Sequence, residues 1–229
     1  MKIDGTIVRR VNEIPKQFEY IGTHLIRKGF LSLYAFWVDN IHRRLELMHR
    51  GHAVAILLID ATAREVVMIQ QPRQVKAFAE NALAIDALER AKMLGVGSVN
   101  MQSFMVDAED VTVFELCAGM IEGNDTPVET AVRELQEETG FLIRPDQLEV
   151  VQEYYPSIGG TTERITAFFG MMEPNQPQGE TRGDGSEQIV VWRMSFGEAF
   201  RLMRDGHIPS ASSLILLREL QIRVLMGKI

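Results

Sequence analysis

Two periodicities divide the chain. From about Phe18 to His49, apolar and polar residues alternate in FLSLYAFWV and RRLELMH, with polar turns between them and Gly29 and Gly51 at the flanks. Alternation of this kind predicts short antiparallel strands. After Gly51 the apolar runs lengthen. AVAILLI (Ala53 to Ile59) and EVVMIQQ (Glu65 to Gln71) read as strands around the turn DATAR. Lys76 to Leu94 reads as an alanine-rich helix, and VTVFELC (Val111 to Cys117) as a strand. LEVVQEYY, ITAFFGMM and QIVVWRM add strands, and FGEAFRLMRDG and SASSLILLRELQIRVLM close the chain as helices. Strands and helices in this mixed order predict an α/β/α sandwich on a mixed sheet, preceded by a small N-terminal antiparallel β domain. The expected boundaries are residues 1–50 for the β meander and 51–229 for the main domain, with an inserted helical segment at about 74–110. A small meander buries both faces poorly alone, so it is expected to dock on another subunit or on the main domain.

The densest chemical signal is TPVETAVRELQEETG, from Thr126 to Gly140. Thr126 with Glu129 three positions on forms a capping box, Pro127 takes the first helical position, and Gly140 supplies the stop. Val128, Ala131, Val132 and Leu135 recur at the spacing of one buried stripe, while Glu134, Glu137 and Glu138 share the opposite side. Each like-charge neighbour there costs roughly a few tenths of a kcal/mol. A hard divalent cation offsets that repulsion, because Mg²⁺ prefers carboxylate oxygen and brings water and substrate phosphates with it. The competing reading is a solvated charged face in which Arg133 and Glu137 make an ordinary i,i+4 pair. The helix alone does not separate the two.

Composition narrows the class. The chain has 229 residues, 46% hydrophobic and 24% charged, as in ordinary globular proteins. A formal net charge of -7 disfavours nucleic acid as a partner, since that binding rests on cationic phosphate contacts. The single cysteine, Cys117, lies in an apolar strand and reads as a buried structural thiol. No signal-peptide pattern is present at MKIDGTIVRR, and the longest apolar run, Ala53 to Ile59, is too short to span a bilayer. The expectation is a cytoplasmic protein without a membrane partner.

The segment ahead of the acidic helix changes the balance. ELCAGMIEGNDTPVETAVRELQEETGF matches G-x5-E-x7-R-E-U-x-E-E-x-G-U, with U aliphatic, at Gly119, Asp125, Arg133, Glu134, Leu135, Glu137, Glu138, Gly140 and Phe141. It resembles the Nudix box. Asp125 stands where the pattern has Glu, and Phe141 fills the last aliphatic slot; neither change removes a carboxylate from the acidic face. RKGFLSL, RGHAVAILLID, AGMIEG, GGTTER and IPSASSLILLREL look like segments of the ADP-ribose pyrophosphatase branch, as does Pro156, sixteen residues beyond Gly140. The resemblance implies a Nudix-type fold and Mg²⁺-dependent hydrolysis (Mn²⁺ as the substitute) of ADP-ribose to AMP and ribose 5-phosphate by a homodimer. Other nucleoside diphosphate sugars, UDP- or GDP-linked, are the alternative substrates. A non-catalytic ADP-ribose sensor and hydrolysis of RNA 5′ ends fit less well: every metal-facing glutamate is retained, and the chain is acidic.

By the same resemblance, Glu134, Glu138, Glu187 and the carbonyl of Ala118 would hold metal, with Glu137 assisting and Arg133 bracing a glutamate. Glu187 lies in the Pro/Gly/polar loop from Glu173 to Glu187 and is the leading candidate base. The second acid expected two residues earlier is replaced by Gly185, leaving Asp184 as substitute; either loop carboxylate could simply be solvated. For substrate, Phe30 would stack on the base, Arg73 would approach the nucleotide, Arg44 would reach a partner's site, and Gly160 and Glu163, with Gly159, would line the terminal ribose. The competing readings are a core phenylalanine, a surface ion pair and a tight turn that needs glycine. The stretch from Gln74 to Asp110 is nearly three times the dozen or so residues usual for such a connection. It is open to two readings, a reshaped pocket or a thicker dimer contact.

Overall fold

The computed structural model describes residues 2–3, 6–7, 20–27, 32–38, 43–95, 107–181 and 189–229. The chain divides into two compact units, residues 1–50 with 157–163, and residues 51–156 with 164–229.

In the first unit, β1 (Lys2–Ile3) pairs with β2 (Thr6–Ile7). β3 (Tyr20–Arg27), β4 (Ser32–Val38) and β5 (Arg43–His49) form a three-stranded antiparallel meander. The segment 157–163 attaches to the end of β5: Met48 donates its N–H to the Gly160 carbonyl at 2.8 Å, and Thr162 donates back to Met48 at 3.0 Å.

The second unit is built on a seven-stranded mixed sheet. β6 (Ala53–Asp60) runs antiparallel to β7 (Glu65–Pro72) and parallel to β11 (Ile165–Met171). β10 (Leu148–Tyr154) closes one edge and β12 (Val190–Ser195) the other. Every residue of β6 is buried, as expected of a central strand covered on both faces. Alternate side chains separate into two cores. Leu57, Ile59, Met68 and Phe169 pack with α5 (Phe196–Arg204) and α6 (Ala211–Leu225). Val54, Ile56, Leu58 and Phe168 pack under α4 (Pro127–Glu134), against Ala131 and Leu135. The result is a layered α/β fold with a small antiparallel β unit.

The structure differs from the sequence expectation in two places. The alanine-rich helix is two helices, α1 (Gln74–Glu80) and α2 (Ala82–Leu94), because Asn81 takes extended backbone at φ -94° and ψ 116°. Asparagine competes with the helix through its own amide, which favours such a break. A short α3 (Ala108–Val111) precedes the next strand. The strand expected from Val111 to Cys117 is two: β8 (Thr112–Glu115) pairs with β7, and β9 (Cys117–Met120) pairs with β6.

Candidate active site

The acidic helix begins as its sequence requires. Thr126 Oγ1 accepts from the Glu129 N–H at 3.2 Å, and Glu129 Oε2 accepts from the Thr126 N–H at 2.8 Å. The Glu129 carboxyl is held below its usual range, first by that backbone N–H and then by the Thr126 hydroxyl. α4 then widens into a π-helical turn over Leu135–Thr139, ending at Gly140 in the left-handed region at φ 74°. Turns of this width concentrate at functional sites, and this one shifts Glu137 and Glu138 in register against Glu134.

The three glutamates have different surroundings. Glu138 is buried at 7% exposure, and its Oε2 accepts the Ala118 N–H at 3.1 Å. It therefore lies between helix and strand, not on the solvated face that simple helical spacing suggests. Glu134 packs over Gly119 so closely that a Cβ there would overlap its carboxylate. Glu137 is the most exposed of the three, at 39% for its side chain. Arg133 Nη1 meets Glu134 Oε1 at 2.9 Å and Glu137 Oε2 at 3.0 Å, and Nη2 donates to the Met120 carbonyl at 3.4 Å. Asp125 stands 3.9 Å from the same guanidinium, so the shorter acid faces Arg133 from the helix entrance. Partial burial works to lower the Arg133 pKa, but the Glu134 and Glu137 carboxylates outweigh it and raise it.

Cys117 is buried, and its thiol is held well above its usual pKa by burial first and by Glu138 second. It stays protonated and serves as packing. Ala118, Arg133, Glu134, Glu137 and Glu138 are thus brought together by β9 and α4. Among the described residues, no three His, Cys, Asp or Glu side chains are already gathered around one point. Asp125, Glu134 and Glu137 nevertheless face one guanidinium, Glu138 lies on the Ala118 N–H, and the side-chain donors of the glutamates are all oxygen, which is the donor set of a hard divalent cation.

The loop after β11 is tied to the end of this helix. Gly179 donates its N–H to the Gly140 carbonyl at 2.9 Å, and Gln178 Nε2 donates to the Thr139 carbonyl at 2.9 Å. Glu187 and Asp184, farther along that loop, lie outside the described residues, as does Phe30.

Arg73, between β7 and α1, pairs with Glu115 of β8, with Nε at 2.7 Å and Nη2 at 2.5 Å from the same Oε2. Buried Gln71 donates to that oxygen at 3.4 Å. Neither Gln71 nor Glu115 stands out in the sequence; they are diagonal neighbours in the β7–β8 ladder, where Gln71 faces Val113 and Glu115 faces Ile69, and that register requires the strand break to be known. The other substrate candidates belong to the first unit. Arg44 pairs with Glu46 at 3.1 Å on an exposed strand, and Glu163 pairs with Arg50 at 3.4 Å. Gly159 and Gly160 have open space where a Cβ would stand and no left-handed φ, so the turn itself does not demand glycine at either position.

The NUDIX domain profile matches residues 100–215, which contain β8, β9 and the whole acidic helix. The chain belongs to the Nudix family. Members of the family work with a divalent cation, and this Nudix hydrolase keeps the acidic helix intact. A GDP-mannose pyrophosphatase of Cronobacter sakazakii (strain ATCC BAA-894) is 30% identical over 219 residues, covering 90% of this chain and 98% of that protein. A GDP-mannose pyrophosphatase of Yersinia enterocolitica is 27% identical over 217 residues, covering 92% and 98%. The crystal structure of an ADP compounds hydrolase superposes with a TM-score of 0.63 at 14% identity, over 95% of this chain and 100% of that one, and shares the fold. No described helix of the Nudix hydrolase is long and apolar enough to cross a membrane.

Proposed function

We propose that this Nudix hydrolase is a divalent-cation-dependent pyrophosphatase of nucleoside diphosphate sugars. Water attacks one phosphorus, the bridging P–O bond breaks, and a nucleoside monophosphate and a sugar phosphate leave. The observation that carries this reading is the intact Arg133–Glu134–Glu137–Glu138 cluster against the Ala118–Gly119 backbone.

Glu134, Glu138 and the Ala118 carbonyl would hold the cation, with Glu187 as a further ligand. The bound cation, Mg²⁺ first and Mn²⁺ as substitute, supplies charge neutralisation of the diphosphate and lowers the pKa of a bound water. Arg133 keeps Glu134 and Glu137 in place, Gly119 leaves the Glu134 carboxylate room beside the strand, and Glu137 or Glu187 takes the proton from the attacking water. Arg73, steadied by Glu115, is directed at the nucleotide phosphates. Phe30, Arg44, Gly160 and Glu163 are assigned to base, partner-site and sugar contacts, and the unit of residues 1–50 to dimerisation and substrate contacts. A homodimer in the cytoplasm suits a nucleotide-sugar substrate and a chain with a single cysteine.

GDP-mannose stands first among substrates because relatives matched over nearly their full length carry that activity in their names. ADP-ribose stands second, favoured by the GGTTER segment and the position of Pro156. Purified protein with Mg²⁺ is to be incubated with ADP-ribose, GDP-mannose and UDP-glucose, and nucleoside monophosphate release measured. GMP, AMP or UMP in step with sugar phosphate supports the reading. No release from any of them, with the protein folded and Mg²⁺ or Mn²⁺ present, overturns it.

A further inference from the structure

The stretch from Thr112 to Met120 changes partner midway, from β7 to β6. Leu116 sits at the changeover, outside both strands and 2% exposed. A buried N–H at such a point has no neighbouring strand to answer it, and an unpaired one is costly. It is answered from far along the chain: Leu116 donates its N–H to Oγ of Ser213 at 3.1 Å. Ser213 lies in the first turn of α6 and is fully buried.

The residues on either side of Leu116 are those that shape the site. Glu115, just before it, holds Arg73. Ala118, two beyond it, gives its N–H to Glu138, and Gly119 admits the Glu134 carboxylate. Adjacent Ser212 does something different, accepting from the Tyr154 hydroxyl at 2.6 Å and so docking α6 on β10. We propose that Ser213 is a positioning residue of the active site. Its hydroxyl pins the point at which the chain leaves β7 for β6, and thereby sets the Ala118–Gly119 backbone against Glu138 and Glu134. This inference rests on the pyrophosphatase reading of the acidic cluster.

The test compares wild type, Ser213→Ala, Ser213→Cys and Ser212→Ala. Mn²⁺ affinity is measured by calorimetry without substrate, kcat and KM on GDP-mannose and ADP-ribose, and thermal melting on each protein. Ser213→Ala is expected to weaken Mn²⁺ binding and lower kcat by about 10-fold or more, the usual loss when a partner behind a metal ligand is removed. Ser213→Cys, with its poorer acceptor, is expected to fall in between, and it decides the matter if Ser213→Ala does not fold. Ser212→Ala is expected to melt lower while keeping wild-type Mn²⁺ affinity and kcat. Equal losses in Ser212→Ala and Ser213→Ala, or a Ser213→Ala protein that only melts lower, overturn the proposal. A wild type that binds Mn²⁺ yet turns over neither nucleotide sugar defeats the proposed function alone, and the affinity ratio still decides the role of Ser213.

Discussion

Arg133 is the residue on which the acidic cluster balances, because its guanidinium meets Glu134 and Glu137 and also touches the Met120 carbonyl. The buried member, Glu138, accepts the Ala118 N–H. Glu138→Gln keeps the volume and removes the charge, so it is expected to fold normally. Its kcat should drop more than about 100-fold, beyond the 10–100-fold typical of losing an outer partner. Wild-type turnover in that variant would remove Glu138 from the cation site. Gly119→Ala forces a methyl into the Glu134 carboxylate. Overpacking of this kind costs about 1–3 kcal/mol, visible as a lowered denaturation midpoint, and activity should fall with it. Arg73→Ala should raise KM more than it lowers kcat, as expected when binding shared by ground and transition states is lost; an unchanged KM argues that Arg73 touches only Glu115.

At the level of elements, the capping box of α4 invites a direct measurement. Thr126→Ala removes the hydroxyl that accepts from Glu129 and should cost about 1 kcal/mol in chemical denaturation. The lowered pKa of Glu129 gives this cap a pH dependence. A carboxyl depressed in the folded state contributes its full stability above the unfolded pKa, and loses it as pH falls through the folded one. The melting advantage of wild type over Glu129→Gln should therefore be present at neutral pH and vanish in acid. The start of this helix was legible from Thr126, Pro127 and Glu129 because caps are local chemistry. Its stop was legible too, at Gly140, which takes the left-handed cap, but the π-helical widening before it was not, since that depends on how Glu138 and Thr139 bury against β9. The split of β8 from β9 was hidden for a similar reason. An unbroken apolar run, VTVFELC, carries no mark at Leu116, and the break exists only because two different strands and a distant serine compete for it. The break at Asn81 does carry a local signal, since asparagine disfavours a helix interior.

At the scale of the molecule, the larger unit distributes its support between two faces of its seven-stranded sheet. Leu216 and Leu217 are fully buried in the α5–α6 core, and Leu216→Ala is expected to cost about 2–5 kcal/mol by equilibrium denaturation. Arg223 fastens the far end of α6, meeting both Glu149 oxygens at 2.8 and 2.9 Å while lying over the Phe169 ring. Light scattering should give twice the chain mass if residues 1–50 serve as the dimer contact, and a monomer would remove that role. The partners that the acidic residues hold among themselves carry a practical lesson for handling the protein. With a guanidinium and a backbone amide already satisfying them, a sample stripped by chelator ought to be dormant rather than damaged. It should melt within about 2 °C of the untreated material and recover its full rate once the ion is returned.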